Sequence, residues 1–282
     1  VVGSAAGGSA DLHLRIIGDK LEKKWGQPVV ILNKPGAAGM IGVDAAINAK
    51  DGHTIGQMAA NPIYFTERLA HMSPVMITVW TDYVIVVKND APYKTWPEFV
   101  EYAKKKNGDL KFGTYNMFSY SHLSMESLNR MLGVKFGDMI PTPNEPRIWN
   151  EVGKGDLDYG MSTPAQVEQF VQKGDVRILA TLSPSNMKFN GKTVPSITQY
   201  VHDWPLTKGY QGMFMPKGTP VDVIYKVNHD VNEVMKDPEV IQRLALLKFY
   251  PAGTTPEFAT MYLSKEAIRW SKVMADSNFK LK

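Results

Sequence analysis

Short apolar runs alternate along this chain with segments that carry an amphipathic helical pattern, and this alternation restricts the fold more than any other feature. The apolar runs include 29–32 (VVIL), 83–87 (YVIVV) and 176–183 (VRILATLS), and helical patterns such as 12–26 and 221–237 lie among them. Such alternation is typical of α/β proteins, in which helices cover a largely parallel sheet. We therefore predict an α/β fold.

The length of the chain indicates two lobes. At 282 residues it exceeds a typical single domain, and two lobes of roughly 100 to 150 residues are expected. We place 1–87 with 213–282 in lobe 1 and 88–212 in lobe 2. The chain crosses between the lobes twice, in strands predicted within 82–90 and 209–220. Two α/β lobes connected in this way have a ligand cleft between them.

Composition excludes several kinds of site. The chain has no cysteine, so disulfides, thiolate metal sites and cysteine nucleophiles are absent, and its six histidines lack metal-binding spacing. The net charge of +4 comes from scattered residues, and the run KKK at 104–106 is interpreted as a solvated helix face, so no nucleic-acid partner is predicted. The apolar runs are too short to cross a membrane, and the first residues show no signal-peptide pattern.

A glycine-rich stretch, KPGAAGMIG, favours one enzymatic alternative. Gly36, Gly39 and Gly42 lie between a predicted strand and a predicted helix, as in short-chain dehydrogenases that bind nicotinamide cofactors. Tyr102 and Lys106 supply a Y-x-x-x-K spacing. However, the next predicted strand is not followed by the acidic residue that would bind the ribose. We therefore predict no cofactor, and interpret the glycines as a tight turn that lets the second helix pack closely.

A hydrolase would need a nucleophile, a base and an orienting acid. Ser9, His122 and Asp11 are residues of the required types, but Ser9 lacks the G-x-S-x-G context that would expose and activate its hydroxyl. Ser9 is better interpreted as a helix N-cap, with Asp11 in the first turn. We therefore predict that the chain is not an enzyme.

Two loops instead carry the features of anion binding. Residues 5–11 (AAGGSAD) and 114–122 (TYNMFSYSH) each precede a predicted helix and combine flexible or hydroxyl-bearing residues with backbone donors. N–H groups at a helix N-terminus can converge on a carboxylate, and the helix dipole favours its charge. Anion recognition is therefore the chemistry that these loops favour.

The order of segments resembles the tripartite tricarboxylate transporter receptors, the Bug-type periplasmic solute-binding proteins. The resemblance covers almost the whole chain, and its most specific part is NKPGAAGMIG with the preceding GQPVV and the following DGHT. The matching segments are VVGSAAGGSAD, GQPVVILNKPGAAGMIGVDAA, DGHTIGQM, LKFGTYNMFSYSHLSMES, GDLDYGMSTP, VPSI and FMPKGTP.

This resemblance implies two Rossmann-like lobes, joined by a two-strand hinge, that close on an organic carboxylate in a Venus-flytrap motion. It also implies a periplasmic monomer that binds membrane transporter subunits transiently, without covalent chemistry. A carboxylate sensor for a signalling partner is the other alternative. The implied ligand-binding residues are Ala6, Gly7, Gly8, Ser9, Asn61, Tyr115, Ser119, Tyr120, Ser121, His122, Ser162 and Thr163.

Departures from the family pattern suggest the kind of ligand. Ser162 and Thr163 stand where family members often have an acidic residue followed by Asn, so we expect a purely anionic or hydroxylated ligand rather than an amine. Residues 142–147 (TPNEPR) replace the usual Tyr-Lys-Gly turn. The aromatic rings of Tyr115, Phe118 and Tyr120 favour an aromatic or medium-length dicarboxylate.

Overall fold

A computed structural model describes residues 1–61, 67–114, 119–142, 144–205 and 208–276, which form two compact units. Unit 1 contains Val1–Thr81 and Gly209–Asp276, and unit 2 contains Asp82–Lys208. The α-helices described are α1 Ser9–Trp25, α2 Met40–Ile47, α3 Trp96–Lys106, α4 Tyr120–Leu132, α5 Glu145–Lys154, α6 Pro164–Lys173, α7 Val221–Val234, α8 Pro238–Leu246 and α9 Pro256–Asp276. The strands described are β1 Gly56–Ala59, β2 Met72–Thr81, β3 Val84–Lys88, β4 Lys111–Thr114, β5 Asp138–Pro141, β6 Tyr159–Ser162, β7 Val176–Thr181, β8 Met187–Phe189, β9 Lys192–Val194, β10 Gly209–Pro216 and β11 Tyr250–Pro251.

The sheet of unit 1 is antiparallel, which corrects the prediction of largely parallel strands. Its order is β1-β10-β2-β11, and every pair of neighbours runs antiparallel. β2 is not predicted by the sequence pattern, because Pro74 interrupts its apolar run. Pro74 pairs with Phe214 where the register of β2 and β10 shifts, and such irregular positions tolerate proline.

The predicted strand at 29–32 is an extended segment outside the sheet. The residue after it, Asn33, forms an isolated parallel bridge with Val2. On its other side, Val1 is hydrogen-bonded to the segment that leads into β1. The parallel arrangement expected for unit 1 is thus limited to a few residues, but these are the residues that lead into its candidate ligand loops.

Helices α1, α7 and α8 contribute the core of unit 1 together with β2 and β10. The helical pattern at 12–26 predicts that Leu12, Ile16, Ile17 and Leu21 share one apolar face. Ile16, Ile17 and Leu21 are buried, but Leu12 is 38% exposed. Leu14 is buried in its place. The spacing i, i+3, i+7 of Leu14, Ile17 and Leu21 is that of one helix face, and Leu12 lies outside this series.

The sheet of unit 2 is mixed and has the order β5-β4-β6-β3-β7. β4 runs parallel to β5 and β6, whereas β3 is antiparallel to β6 and β7. Each of the three parallel strands leads into a helix: β4 into α4, β5 into α5 and β6 into α6. Three helix N-termini therefore follow the carboxyl ends of neighbouring parallel strands, the edge where α/β sheets bind ligands.

The boundaries between the units differ from those we predict at 87/88 and 212/213. β3 is hydrogen-bonded to β6 and β7 over its whole length, so the first crossing precedes it, at Thr81–Asp82. β10 pairs with β2 from its first residue, so the second crossing lies at Lys208–Gly209. In both cases strand pairing assigns the crossing segment to the unit whose sheet it completes.

Candidate functional site

Three loops of unit 1 follow neighbouring extended segments at the ligand-binding edge of the fold. They are residues 3–8, residues 34–39, and residues 60–61 after β1. The first two are in close contact, because a Cβ atom added to Gly3 would lie 2.4 Å from the carbonyl oxygen of Gly39. The structure thus brings Asn61 and the predicted residues of the first loop to the same edge of unit 1.

The glycine stretch at 36–42 is the tight turn that we predict. Ala37 and Ala38 have positive φ angles of 46° and 56°, as does Gly39 at 93°. A Cβ added to Gly42 would lie 2.6 Å from the Cα of Gly3, closer than real Cβ atoms approach backbone. Glycine at this position therefore lets α2 pack directly against the first loop, and the interpretation of these glycines as packing residues is confirmed.

Asn61 contacts this turn through its side chain. Its Nδ2 donates to the carbonyl oxygen of Ala38 over 3.1 Å. Because Ala38 is held in the left-handed region, this bond helps to fix a backbone conformation that non-glycine residues adopt rarely. Asn61 thus supports the second loop, and its contact with a ligand stays a prediction.

The N-cap of helix α1 lies one residue earlier than predicted. Gly8 is the N-cap, with φ −69° and ψ 161°, and its carbonyl oxygen accepts from Leu12 N over 2.9 Å. Ser9 is therefore the first helical residue, which corrects its assignment as the cap. No side chain caps α1, so the first N–H groups of the helix keep their capacity to bind an external acceptor.

The backbone donors of the first loop fall into two groups. Gly7 N donates to Asp11 Oδ2 over 2.8 Å, and Gly8 N donates to the Ala5 carbonyl oxygen over 3.3 Å. Several other amides here have no hydrogen-bond partner among the described residues, and those of Ala5, Ala6, Ser9 and Ala10 are among them. Of the residues that we predict here, Ala6 and Ser9 therefore offer N–H groups, whereas those of Gly7 and Gly8 are already bonded within the loop.

Asp11 is the residue whose importance the sequence pattern understates. Its side chain is 1% exposed and accepts from Gly7 N, from Arg15 Nε over 2.9 Å and from Asn33 Nδ2 over 2.9 Å. Burial alone would raise the pKa of Asp11, but these three hydrogen bonds outweigh it and lower the pKa below its usual range. The available signal was the i, i+4 spacing of Asp11 and Arg15.

Unit 2 presents a cluster of hydroxyl groups where β4 leads into α4. Ser119 is the N-cap of α4 and accepts from His122 N over 3.3 Å. Its Oγ lies 2.9 Å from Ser121 Oγ, and Thr114 Oγ1 lies 3.3 Å and 3.1 Å from the two serine oxygens. We call Thr114, Ser119 and Ser121 the hydroxyl cluster. Hydroxyl groups can both donate and accept, so this cluster can reorient its protons toward an anion.

Two predicted ligand residues of α4 have buried side chains. Tyr120 is 3% exposed, and its ring stacks on that of Tyr83 with 4.2 Å between centroids. His122 is 1% exposed, and burial lowers its pKa to about 4, so the imidazole is neutral near pH 7. These side chains therefore belong to the interior of unit 2, and their contact with a ligand stays a prediction.

The remaining predicted residues lie at the start of α6 or outside the described part of the chain. Ser162 is the last residue of β6 and is buried, and Thr163 is the N-cap of α6. The Thr163 hydroxyl makes no capping hydrogen bond. Tyr115 and Phe118 fall outside the described residues.

Other features of the described residues are less suited to an anion. A cavity of about 570 Å³ in unit 1 is lined by α1, residues 27–32, residues 52–57, β10 and α7, and no Asp, Glu, Lys or Arg is among its lining residues. Within the described ranges, no group of three or more His, Asp or Glu side chains could hold a metal ion. No helix in these ranges has the length and apolarity needed to cross a membrane.

Comparisons with known proteins identify the family of the chain. Residues 13–279 match the family model of the tripartite tricarboxylate transporter family receptor. The chain is 29% identical over 261 residues to the UPF0065 protein in gbd 5'region of Cupriavidus necator, covering 89% of this chain and 78% of that protein. It is 26% identical over 288 residues to protein BugT of Bordetella pertussis, covering 98% of this chain and 87% of BugT.

Solved structures share the fold. One described as a periplasmic transporter has a TM-score of 0.84 at 25% identity, covering 99% of this chain and 96% of that one. An R. palustris protein solved with adipate has a TM-score of 0.82 at 20% identity, covering 97% and 94% of the two chains. MatC from Rhodopseudomonas palustris, with bound malate, has a TM-score of 0.80 at 23% identity, covering 96% of each chain. The match over 13–279 shows that the chain belongs to the tripartite tricarboxylate transporter receptor family.

Proposed function

We propose that this receptor captures a small organic carboxylate in the periplasm and delivers it to the membrane subunits of a tripartite tricarboxylate-type transporter. The family provides the receptor role. The observation that carries the ligand class is the group of amides at Ala5, Ala6, Ser9 and Ala10, for which the described part of the chain provides no hydrogen-bond partner. Such donors at the start of a helix are complementary to a carboxylate.

The charges around the start of α1 explain why it favours a carboxylate. The 17 residues of α1 place the positive end of the helix dipole at this loop, and no side chain caps that end. The carboxylate of Asp11 is close by, but its ion pair with Arg15 compensates its charge. A ligand carboxylate therefore meets N–H donors and a positive dipole without an uncompensated negative charge beside them.

Unit 2 supports a second set of ligand contacts. The hydroxyl cluster lies at the start of α4, and the starts of α5 and α6 follow the two strands that flank β4. We propose that these donors bind a second polar group of a ligand whose carboxylate is bound by unit 1. A state in which the ligand makes both sets of contacts is the state that the ligand favours.

A dicarboxylate fits this division of contacts. Adipate and malate, the ligands of two structures with the same fold, each carry two carboxylates. Between the aromatic and the medium-length forms that we predict, we favour the medium-length form, because the Tyr120 ring is stacked on Tyr83 inside unit 2. Ser162 in place of an acidic residue disfavours a ligand with an amine, since no carboxylate is supplied there to pair with it.

A thermal-shift screen with matched ligand pairs tests this proposal. Malate is compared with aspartate, glutarate with glutamate, and adipate with phthalate, and NAD is included for the oxidoreductase alternative. We expect stabilisation by at least one aliphatic dicarboxylate and weaker shifts with its amine-bearing partner. A shift with NAD alone, or with no carboxylate of the panel, would contradict the proposal.

The transport role is tested separately by uptake. Cells that lack this receptor should lose uptake of the radiolabelled carboxylate that binds best, and the reintroduced receptor should restore it. A receptor that binds the carboxylate but leaves its uptake unchanged would instead favour the sensor alternative.

A further inference from the structure

We infer that Asp11 is a positioning residue for ligand binding: its carboxylate holds the first loop so that the exposed amides of Ala5 and Ala6 face an incoming carboxylate. This inference rests on the proposed function of the same loop. It assigns a role to a side chain that does not itself contact the ligand, and it extends that role to the partners of Asp11, namely Arg15 and Asn33.

The hydrogen bonds of Asp11 and Asn33 hold the first loop at two points. Asp11 Oδ2 accepts from Gly7 N over 2.8 Å, which fixes one end of the exposed segment. Asn33 Nδ2 donates both to Asp11 Oδ1 over 2.9 Å and to the carbonyl oxygen of Ser4 over 3.1 Å, which fixes the other end. Ala5 and Ala6 lie between these points. Their amides therefore do not need to be ordered by the ligand, and this reduces the entropic cost of binding.

Arg15 completes the network from the other side. Its Nε donates to Asp11 Oδ2 over 2.9 Å and its Nη2 donates to Asn33 Oδ1 over 3.2 Å. One guanidinium thus orients the Asn33 amide so that its NH₂ group faces Ser4 and Asp11, and it also compensates the Asp11 charge. Removal of Arg15 would leave a buried carboxylate without its cation near the anion site, which repels a ligand of the same sign.

Positioning and simple electrostatics predict opposite effects of removing Asp11. If Asp11 acted only as a nearby negative charge, Asp11→Ala would strengthen the binding of an anion, because a like charge is removed. If Asp11 positions the loop, the same substitution frees Gly7 and Asn33 and weakens binding. The sign of the change in affinity therefore separates the two roles.

The experiment measures the Kd for malate and for adipate by calorimetry in wild type, Asp11→Ala, Arg15→Ala and Arg15→Lys. We expect Asp11→Ala and Arg15→Ala to raise the Kd about tenfold or more, and Arg15→Lys to recover most of the affinity because it keeps the ion pair. Asp19→Asn is the matched control. It removes another carboxylate of α1 that pairs with an arginine, Arg243, at 3.2 Å, but lies away from the loop.

Each outcome bears on one claim. Wild-type Kd values, or lower ones, in both Asp11→Ala and Arg15→Ala would overturn the positioning role while leaving the proposed function intact. An equal loss in Asp19→Asn would also overturn it. Failure of wild type to bind any carboxylate of the panel would overturn the proposed function, and this inference with it. If Asp11→Ala does not fold, the two Arg15 variants decide, because the Arg15 side chain is 44% exposed.

Discussion

Gly7 combines an unusual backbone conformation with a position next to the candidate ligand donors of the first loop. Its φ is +80°, and a Cβ added to it would have open space around it. Gly7→Ala is therefore expected to cost about 1 to 2 kcal/mol of stability through backbone strain alone. Relief of that strain would move Gly7 N away from Asp11, so we also expect carboxylate affinity to fall about tenfold.

Gly26 is the matched control for this substitution. It lies just after the C-terminus of the same helix, with φ +63° and open space around an added Cβ. Gly26→Ala should lower the melting temperature to a similar extent but leave the calorimetric Kd unchanged. Equal effects of the two substitutions on Kd would contradict a specific role of the Gly7 backbone.

The burial of His13 leads us to predict that the stability of the protein depends on pH. It is fully buried in unit 1, neither ring nitrogen has a hydrogen-bond partner among the described residues, and burial lowers its pKa to about 3. Since the pKa of an unfolded histidine is about 6.5, the unfolded state binds the proton first as the pH falls. The contribution of His13 to stability is thus complete above pH about 6.5 and decreases by about 2 kcal/mol by pH about 5.

Urea unfolding at several pH values checks this expectation. His13→Leu should reduce the loss of stability between neutral and mildly acidic pH, because the side chain no longer titrates in the unfolded state. Substitution of the exposed His53 by Gln is the comparison. An unchanged acid dependence in His13→Leu would exclude His13 as its source.

The residues of the candidate site are only partly predictable from sequence. Glycines and a serine before a helical pattern indicate a loop with available amides, and the amides of Ala6 and Ser9 have no partner within the described ranges. The role of Asp11 depends on Asn33, which is 22 residues away in the chain. Such a long-range hydrogen bond leaves no local pattern, because it depends on two extended segments that lie side by side only in the fold.

Among the elements, α4 begins with a capping side chain, Ser119, that also belongs to the candidate site. Ser119→Ala removes the oxygen that accepts from His122 N and opens the hydroxyl cluster. We expect a loss of about 1 kcal/mol of stability, the usual cost of an N-cap, together with weaker carboxylate binding.

Thr95→Ala provides the control for that loss. Thr95 caps α3 in the same unit and accepts from Glu98 N over 3.4 Å. Its removal should produce a similar decrease in denaturation midpoint without a change in Kd. If Thr95→Ala weakened binding as much as Ser119→Ala, the effect would come from general destabilisation of unit 2.

The close contact between α2 and the first loop leads us to predict that a larger residue at Gly42 destabilises the protein. Gly42→Ala places a methyl group against the backbone of Gly3, which cannot yield as a side chain would. A cost of about 1 to 3 kcal/mol is expected from this overpacking. Truncation of the neighbouring exposed Ile41 to Ala should cost much less. Thermal unfolding of both variants measures the difference, and equal costs would contradict the close approach.

A helix whose capping residues are visible in the sequence is predicted well. A strand is predicted less well, because it depends on the neighbouring strand with which it pairs. α3 begins where the Thr95 and Glu98 pattern indicates: Thr95 Oγ1 accepts from Glu98 N, and the Glu98 carboxylate accepts from Lys94 N just before the helix. The apolar run 29–32 has the composition of a strand but lies outside the sheet, while β2 contains a proline and is nevertheless paired with β10. Strand identity depends on the neighbour that is available, which sequence alone does not specify.

At the scale of the whole molecule, the alternation of apolar runs and helical patterns correctly predicts an α/β chain, and the length of the chain predicts its two units. It predicts strand direction less well, because the long β2 and β10 pair antiparallel within unit 1. The alternation does not identify the family. The resemblance of the segments to tripartite tricarboxylate transporter receptors does, and the match over 13–279 confirms it.

The central claim is that carboxylate charge, held by backbone amides, is what this receptor recognises. Calorimetric titration of wild type with its best dicarboxylate and with the corresponding uncharged diamide, for example adipate against adipamide, tests it most directly. The two ligands have nearly the same shape and differ in charge. Binding of the dicarboxylate and at least about a hundredfold weaker binding of the diamide is the predicted result. Equal affinities, or binding of the diamide alone, would contradict the account.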